Sequence, residues 1–148
     1  MYRHILIPTD GSELAHKAVA HGLSLAKSVG AKVTALVVEA SFNVYDLPSS
    51  KMNLISSAFV EYAKQAKAHT SEVMSRAADE AKSAGVVCET MQMTHDHPYQ
   101  AIVTIAKEKG CDLIVMASHG RAGIAAVVLG SVTTKVLTHT KIPVLVCH

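Results

Sequence analysis

Five short apolar runs recur along this chain, and segments with helical periodicity separate them. That alternation limits the fold more than any single residue does. Ile5-Leu6-Ile7, Val33 to Val38, Val86 to Met93, Asp112 to Ala117 and Val144 to Cys147 each have strand length, and Pro143 stands where a strand tolerates proline. The first intervening segment carries Ala15, Ala18, Gly22, Leu25, Ala26 and Val29 on one stripe, with Gly30 as a C-terminal stop. A second helix is predicted from near Leu54 to Gly85, with Ile55, Phe59, Tyr62, Ala66, Val73, Ala77 and Ala81 on one face. A third carries Ala101, Ile102, Ile105 and Ala106 up to Gly110, and a fourth spans roughly Ser131 to His139. Strands alternating with helices imply right-handed βαβ crossovers and an α/β fold, a parallel sheet covered on both faces. At 148 residues and 49% hydrophobic content, one domain over 1–148 can bury a sufficient core.

The second helix is too long for such a sheet. About 31 positions at ~1.5 Å each span roughly 45 Å, against strands of ~20 Å, so its first turns must overhang or break. The preceding stretch from Ala40 to about Asn53, with Pro48-Ser49-Ser50, reads as a long loop. A net charge of +2 with scattered Lys and Arg gives no reason to expect nucleic acid or a membrane surface as partner. No apolar run reaches the ~18 residues of a membrane span and no signal peptide is legible, so a cytoplasmic protein is expected. Cys88, Cys111 and Cys147 are widely spaced and odd in number, which suits reduced core thiols. His95-Asp96-His97 superficially suggests a metal cluster, but no further ligand has partner spacing and Pro98 begins a helix directly after it, so no metal site is assigned.

The chemically informative stretch is Cys111 to Thr134. A buried strand breaks into Ser118-His119-Gly120, and Gly130-Ser131 opens a helix. Unpaired N–H groups and the positive end of a helix dipole then converge, and phosphate is the expected guest. Neither a Gly-Lys-Ser/Thr loop nor a GxGxxG fingerprint occurs. The stretch resembles the nucleotide-binding branch of the universal stress protein family, whose motif is glycine, two residues, glycine, nine residues, glycine, then serine or threonine. Gly120, the spacer Arg121 to Leu129 and Gly130-Ser131 match it, while Ala117 stands where the first glycine belongs. The likeness runs from Ile5-Leu6-Ile7-Pro8-Thr9-Asp10 to Ile142-Pro143-Val144-Leu145-Val146.

The resemblance implies a strand order of 3-2-1-4-5, which reverses direction between strands 1 and 4. Ligands of open α/β sheets sit beyond the strand ends at such a point. It implies ATP there, with or without Mg2+ carried on its phosphates. Pro8 and Thr9 would line the floor, Asp10 would take the ribose, and Val38 would meet the adenine through its backbone. Ala117, Ser118, His119, Gly120 and Arg121 would form the loop, and the N–H groups of Gly130, Ser131 and Val132 would hold phosphates.

Plainer readings stand beside these. Gly120 and Gly130-Ser131 also make an ordinary loop and helix cap, and Asp10 with Glu13 has capping-box spacing. His119 is either a phosphate donor or a solvated loop residue, and Arg121 either screens terminal phosphates or faces solvent; no catalytic residue is assigned. The function implied is an ATP-binding stress-response module with a regulatory or signalling role. A slow ATPase and a nucleotide-free dimeric scaffold, which Ala117 favours, are the alternatives. A homodimer is expected through Val144-Leu145-Val146, an apolar edge with no charge or interior proline to deter pairing.

Overall fold

The computed structural model describes residues 1–41, 52–121 and 129–148, with side chains of 52–56 excepted. Its elements are β1 (His4–Pro8), α1 (Glu13–Val29), β2 (Lys32–Glu39), α2 (Met52–Ala84), β3 (Cys88–Thr94), α3 (Pro98–Glu108), β4 (Leu113–Ala117), α4 (Ser131–His139) and β5 (Val144–Cys147). The strands form one parallel sheet in the order β3-β2-β1-β4-β5, as expected. The Pro48-Ser49-Ser50 loop, the Ile55 side chain and the spacer positions 122–128 lie outside what is described.

The two-residue period of the strands sorts the core into two layers. Ile5, Ile7, Val33 and Val115 point toward Ala15, Ala18, Val19, Leu23 and Ala26 of α1 and Ala81 of α2. Leu6, Leu36, Ile114 and Met116 point toward Ile102, Ile105 and Ala106 of α3 and Val136 of α4. Both faces of β1 and β4 are therefore buried, which is why these strands read as unbroken apolar runs. Each fully buried Ile or Leu contributes roughly 1.5–3 kcal/mol.

Helix α1 starts differently from the capping-box expectation. Its N-cap is Ser12, whose side chain accepts from Ala15 N at 3.2 Å, and Asp10 lies before the helix. Ser12 has the extended backbone an N-cap needs, φ −65° and ψ 160°, which frees Asp10 for another task. The buried stripe includes Val19 and Leu23, while Leu25 and Val29 stand at its margin. Gly22 faces β1 so closely that a Cβ would fall 2.4 Å from Ile7 Cδ1.

Helix α2 has 33 residues, about 50 Å at ~1.5 Å per residue. Thr70, Ala77 and Ala81 are buried against the rest of the fold, but Tyr62, expected on the covered face, is 60% exposed. The early turns overhang, because the strands end before the helix does. Strand β3 starts at Cys88, two residues later than expected. Val86 is buried beneath the connection while Val87 turns outward. All three cysteines are free thiols whose pKa burial raises, that of Cys111 to about 11, so none is a ready thiolate at neutral pH. No helix among the described residues is long and apolar enough to cross a membrane.

A buried histidine ties the amino ends of the strands together. His4 Nδ1–H donates to the Lys109 carbonyl at 3.1 Å, and Nε2 accepts from the Thr34 hydroxyl at 2.8 Å. Burial first, then the Lys32 charge, lower its pKa, against the raising effect of the Lys109 carbonyl. The unfolded chain therefore takes up this proton at higher pH than the folded one. Stability from this source is complete above about pH 6.5 and declines as pH falls below it, by at most ~1.4 kcal/mol per pH unit. The decline ends once the folded histidine also protonates. Urea midpoints near neutrality and about one to two pH units lower should show the loss, and His4→Gln should flatten the slope.

Candidate functional site

The sheet changes direction between β1 and β4, and their carboxyl ends open into a cavity of about 190 Å3. Pro8, Thr9, Asp10, Val38, Ala117, His119, Gly120 and Val132 line it. All of these are site residues expected from the sequence. Ala15, Leu36, Pro98, Ile102, Met116 and Thr133, which are not among those expected, complete the wall. All but Thr133 are apolar residues with no chemical signature, and only the crossovers bring α3 and α4 up to the strand ends.

The floor follows from where β1 stops. Thr9 N donates to Leu36 O at 2.8 Å, beyond the last β1–β2 register pair, Pro8 with Leu36. The odd residues of β2 turn their backbone toward β3, as Val33 N to Val87 O and His95 N to Glu39 O show. By the alternation of a strand, the N–H and C=O of Val38 then face the side that β1 has vacated.

Asp10 bridges the two loops of the cleft. Its Oδ1 accepts from Ser12 N at 2.9 Å, and its Oδ2 accepts from Arg121 N at 2.8 Å. Gly120 makes this approach feasible, since a Cβ there would lie 2.4 Å from Asp10 Oδ2. A carboxylate oxygen can accept more than one hydrogen bond, so Asp10 keeps capacity for a hydroxyl donor.

The opposite wall is the start of α4. Ala117 ends β4 with extended backbone and pairs with Cys147, and its carbonyl accepts from Thr133 Oγ1 at 2.9 Å. No residue other than glycine has positive φ among those described, so the methyl of Ala117 causes no backbone strain. Ser118 is 1% exposed. Its N–H donates to Cys147 O at 2.7 Å, and its carbonyl accepts from Gly130 N at 2.7 Å.

That last bond corrects the expected phosphate cradle. The Gly130 N–H is already committed to the Ser118 carbonyl. As N-cap, Gly130 offers no side chain, so Ser131, Val132 and Thr133 begin α4 with N–H groups that have no intrahelical acceptor. Ser118, Arg121, Gly130 and Ser131 are absent from the cavity wall itself. The Arg121 guanidinium points toward α2, where Nη1 lies 2.8 Å from His69 Nε2. Nothing in the sequence near His69 signalled this contact, which joins residues 52 positions apart.

His95-Asp96-His97 is occupied in shaping the turn before α3. His95 Nδ1 accepts from His97 N at 2.9 Å, Ser41 donates to Asp96, and His97 is the N-cap of α3.

A model of the universal stress protein family matches residues 1–148. The chain belongs to this family. It is 33% identical over 147 residues to the universal stress protein MJ0531 of Methanocaldococcus jannaschii, covering 99% of this chain and 82% of that one. Identity to YxiE of Bacillus subtilis is 31%, over 99% of both chains. Among solved structures, MJ0577 superposes with a TM-score of 0.79 at 28% identity, covering 99% of this chain and 96% of that one. A universal stress protein in complex with cAMP gives 0.73 at 25% identity, over 99% and 97% of the two chains.

Proposed function

We propose that this universal stress protein holds ATP in the cleft between β1 and β4 and acts, in the cytoplasm, as a nucleotide-dependent regulatory module formed by the whole chain. The observation that carries the reading is the pairing of a carboxylate floor, Asp10, with an uncapped helix start, α4, across one cavity. Kinship with a protein solved with cAMP supports an adenine nucleotide as the class. Adenine would bond the open backbone of Val38, the ribose hydroxyls would donate to Asp10, and phosphates would lie on the N–H groups of Ser131 and Val132, the Ser131 hydroxyl and the Gly120 backbone. His119, at the wall, is placed to donate to the same phosphates.

The donor set fits a nucleotide better than a protein-held metal. Among the described residues no three His, Cys, Asp or Glu side chains converge, so an accompanying Mg2+ would be carried by the phosphates. Among the described residues Asp10 is the only acidic side chain on the wall and no lysine or arginine joins it, which suits holding ATP rather than turning it over. Hydrolysis, if measured, is expected to be slow.

Denaturing the purified protein and identifying released nucleotide tests the reading. Ala117 is the one residue that favours a nucleotide-free scaffold instead. Because its backbone is extended, exchange to glycine should change ATP affinity by less than about tenfold, the cost of an ordinary glycine–alanine exchange. No binding by wild type and tight binding by Ala117→Gly would establish the scaffold.

The other proposal is pairing through β5. It is the sheet edge, and Leu145 there is 42% exposed. Antiparallel pairing with a two-fold mate would satisfy both edges. Sedimentation at micromolar concentration should show a dimer, and Leu145→Lys should yield monomer; wild-type monomers alone would sink it.

A further inference from the structure

His69, midway along α2, stands within hydrogen-bonding distance of two groups that it cannot serve together. Its Nε2 lies 2.8 Å from Arg121 Nη1 and 3.2 Å from the Asp10 carbonyl oxygen. A guanidinium only donates and a carbonyl only accepts. Nε2 has one position, which holds either a lone pair or a hydrogen. With the lone pair there, His69 accepts from Arg121 and leaves the Asp10 carbonyl unserved. With the hydrogen there, it donates to Asp10 and must let Arg121 go.

From this exclusivity we infer that His69 is a specificity-determining residue that sets how strongly the cleft distinguishes nucleotides by their number of phosphates. The inference rests on the nucleotide reading above. In the arrangement seen, Arg121 is held on the α2 side and contributes no side chain to the cavity wall, although its own N–H donates to Asp10 at the cleft mouth. Phosphates then meet backbone donors, the Ser131 hydroxyl and the His119 ring but no guanidinium, and a triphosphate gains little over a monophosphate. When terminal phosphates draw the guanidinium inward, His69 changes tautomer and donates to Asp10. The departure of Arg121 is thereby compensated at His69, and Asp10 is steadied as its Arg121 contact loosens. His69 touches no ligand in this scheme; it positions a residue that does.

The backbone of Gly11 lies on one side of this ring. Gly11 packs directly against it, a Cβ there falling 3.2 Å from the imidazole Cε1 and Nε2. Both partners lie within reach of Nε2 with the ring as it stands, so the choice between them needs a change of tautomer and no change of rotamer.

Two substitutions separate the alternatives. His69→Leu removes the acceptor that holds Arg121, so the ratio of ATP to AMP affinity should rise about tenfold, the worth of one freed charge-assisted bond. His69→Gln offers an acceptor and a donor together, so it holds Arg121 and bonds Asp10 at once; its ratio should stay at or below that of wild type. Adding Arg121→Gln to His69→Leu should abolish the gain. Calorimetric titration of the four proteins with ATP and with AMP, alongside thermal melts, reads all of this. A ratio unchanged in folded His69→Leu, or raised equally in His69→Gln, overturns the inference while leaving the nucleotide reading intact. Absence of binding by either nucleotide in all four folded proteins overturns both.

Discussion

Gly130→Glu is expected to lower ATP affinity by at least about a hundredfold while the protein stays folded. The backbone at Gly130 is extended, with φ −73° and ψ 163°, a conformation any residue adopts. A Cβ would lie 3.2 Å from His119 Cα and 3.3 Å from Ser118 O, which demands a shift of a few tenths of an ångström and no more. A carboxylate at a helix start is otherwise favourable, by about 0.3–1 kcal/mol, through the helix dipole. The same carboxylate occupies the position proposed for phosphate, carries its charge and satisfies the N–H groups that phosphate would use. Calorimetric titration with ATP, paired with a thermal melt, checks this. Undiminished affinity in a folded variant would place the phosphates elsewhere.

For stability, the larger effect is expected at Gly11. Its φ of +78° lies in the left-handed region, which costs an L-residue ~1–2 kcal/mol. A Cβ would also fall 2.5 Å from Val73 Cγ2 and 3.2 Å from the His69 ring, and such overpacking typically costs ~1–3 kcal/mol. Gly11→Ala should therefore destabilise by about 3 kcal/mol, roughly 6–12 °C in Tm for a chain of this size. Adding Val73→Ala relieves the side-chain collision but not the backbone, so the pair should recover only part of the loss, which a double-mutant cycle of urea midpoints resolves. A cost for Gly11→Ala below about 1 kcal/mol would mean that the loop lifts off α2 without difficulty.

Both sites show what local chemistry makes legible. Gly130 and Gly11 could be noticed in the sequence because they sit in loops that follow strands. What Gly11 must avoid could not, for Val73 and His69 are more than fifty positions away and arrive only when α2 docks on α1. Tyr62 illustrates the reverse error. Its helical spacing matched the buried face, yet the strands end before α2 does, and periodicity carries no information about where a neighbouring element stops.

The chain's own pattern determined the alternation of strands and helices, the parallel sheet, the two-sided core and the loops on which the cleft is built. These depend on periodicities of about two and about 3.6 residues, which neighbouring residues carry between them. Tertiary structure alone decided which hydrogen-bonding groups remain for a ligand. Gly130 N is taken by Ser118 O, Asp10 is shared between Ser12 and Arg121, and Arg121 is held by His69. A donor or acceptor is committed only when its partner comes within about 3 Å, and partners from distant parts of the chain reach that distance only once the helices have packed on the sheet.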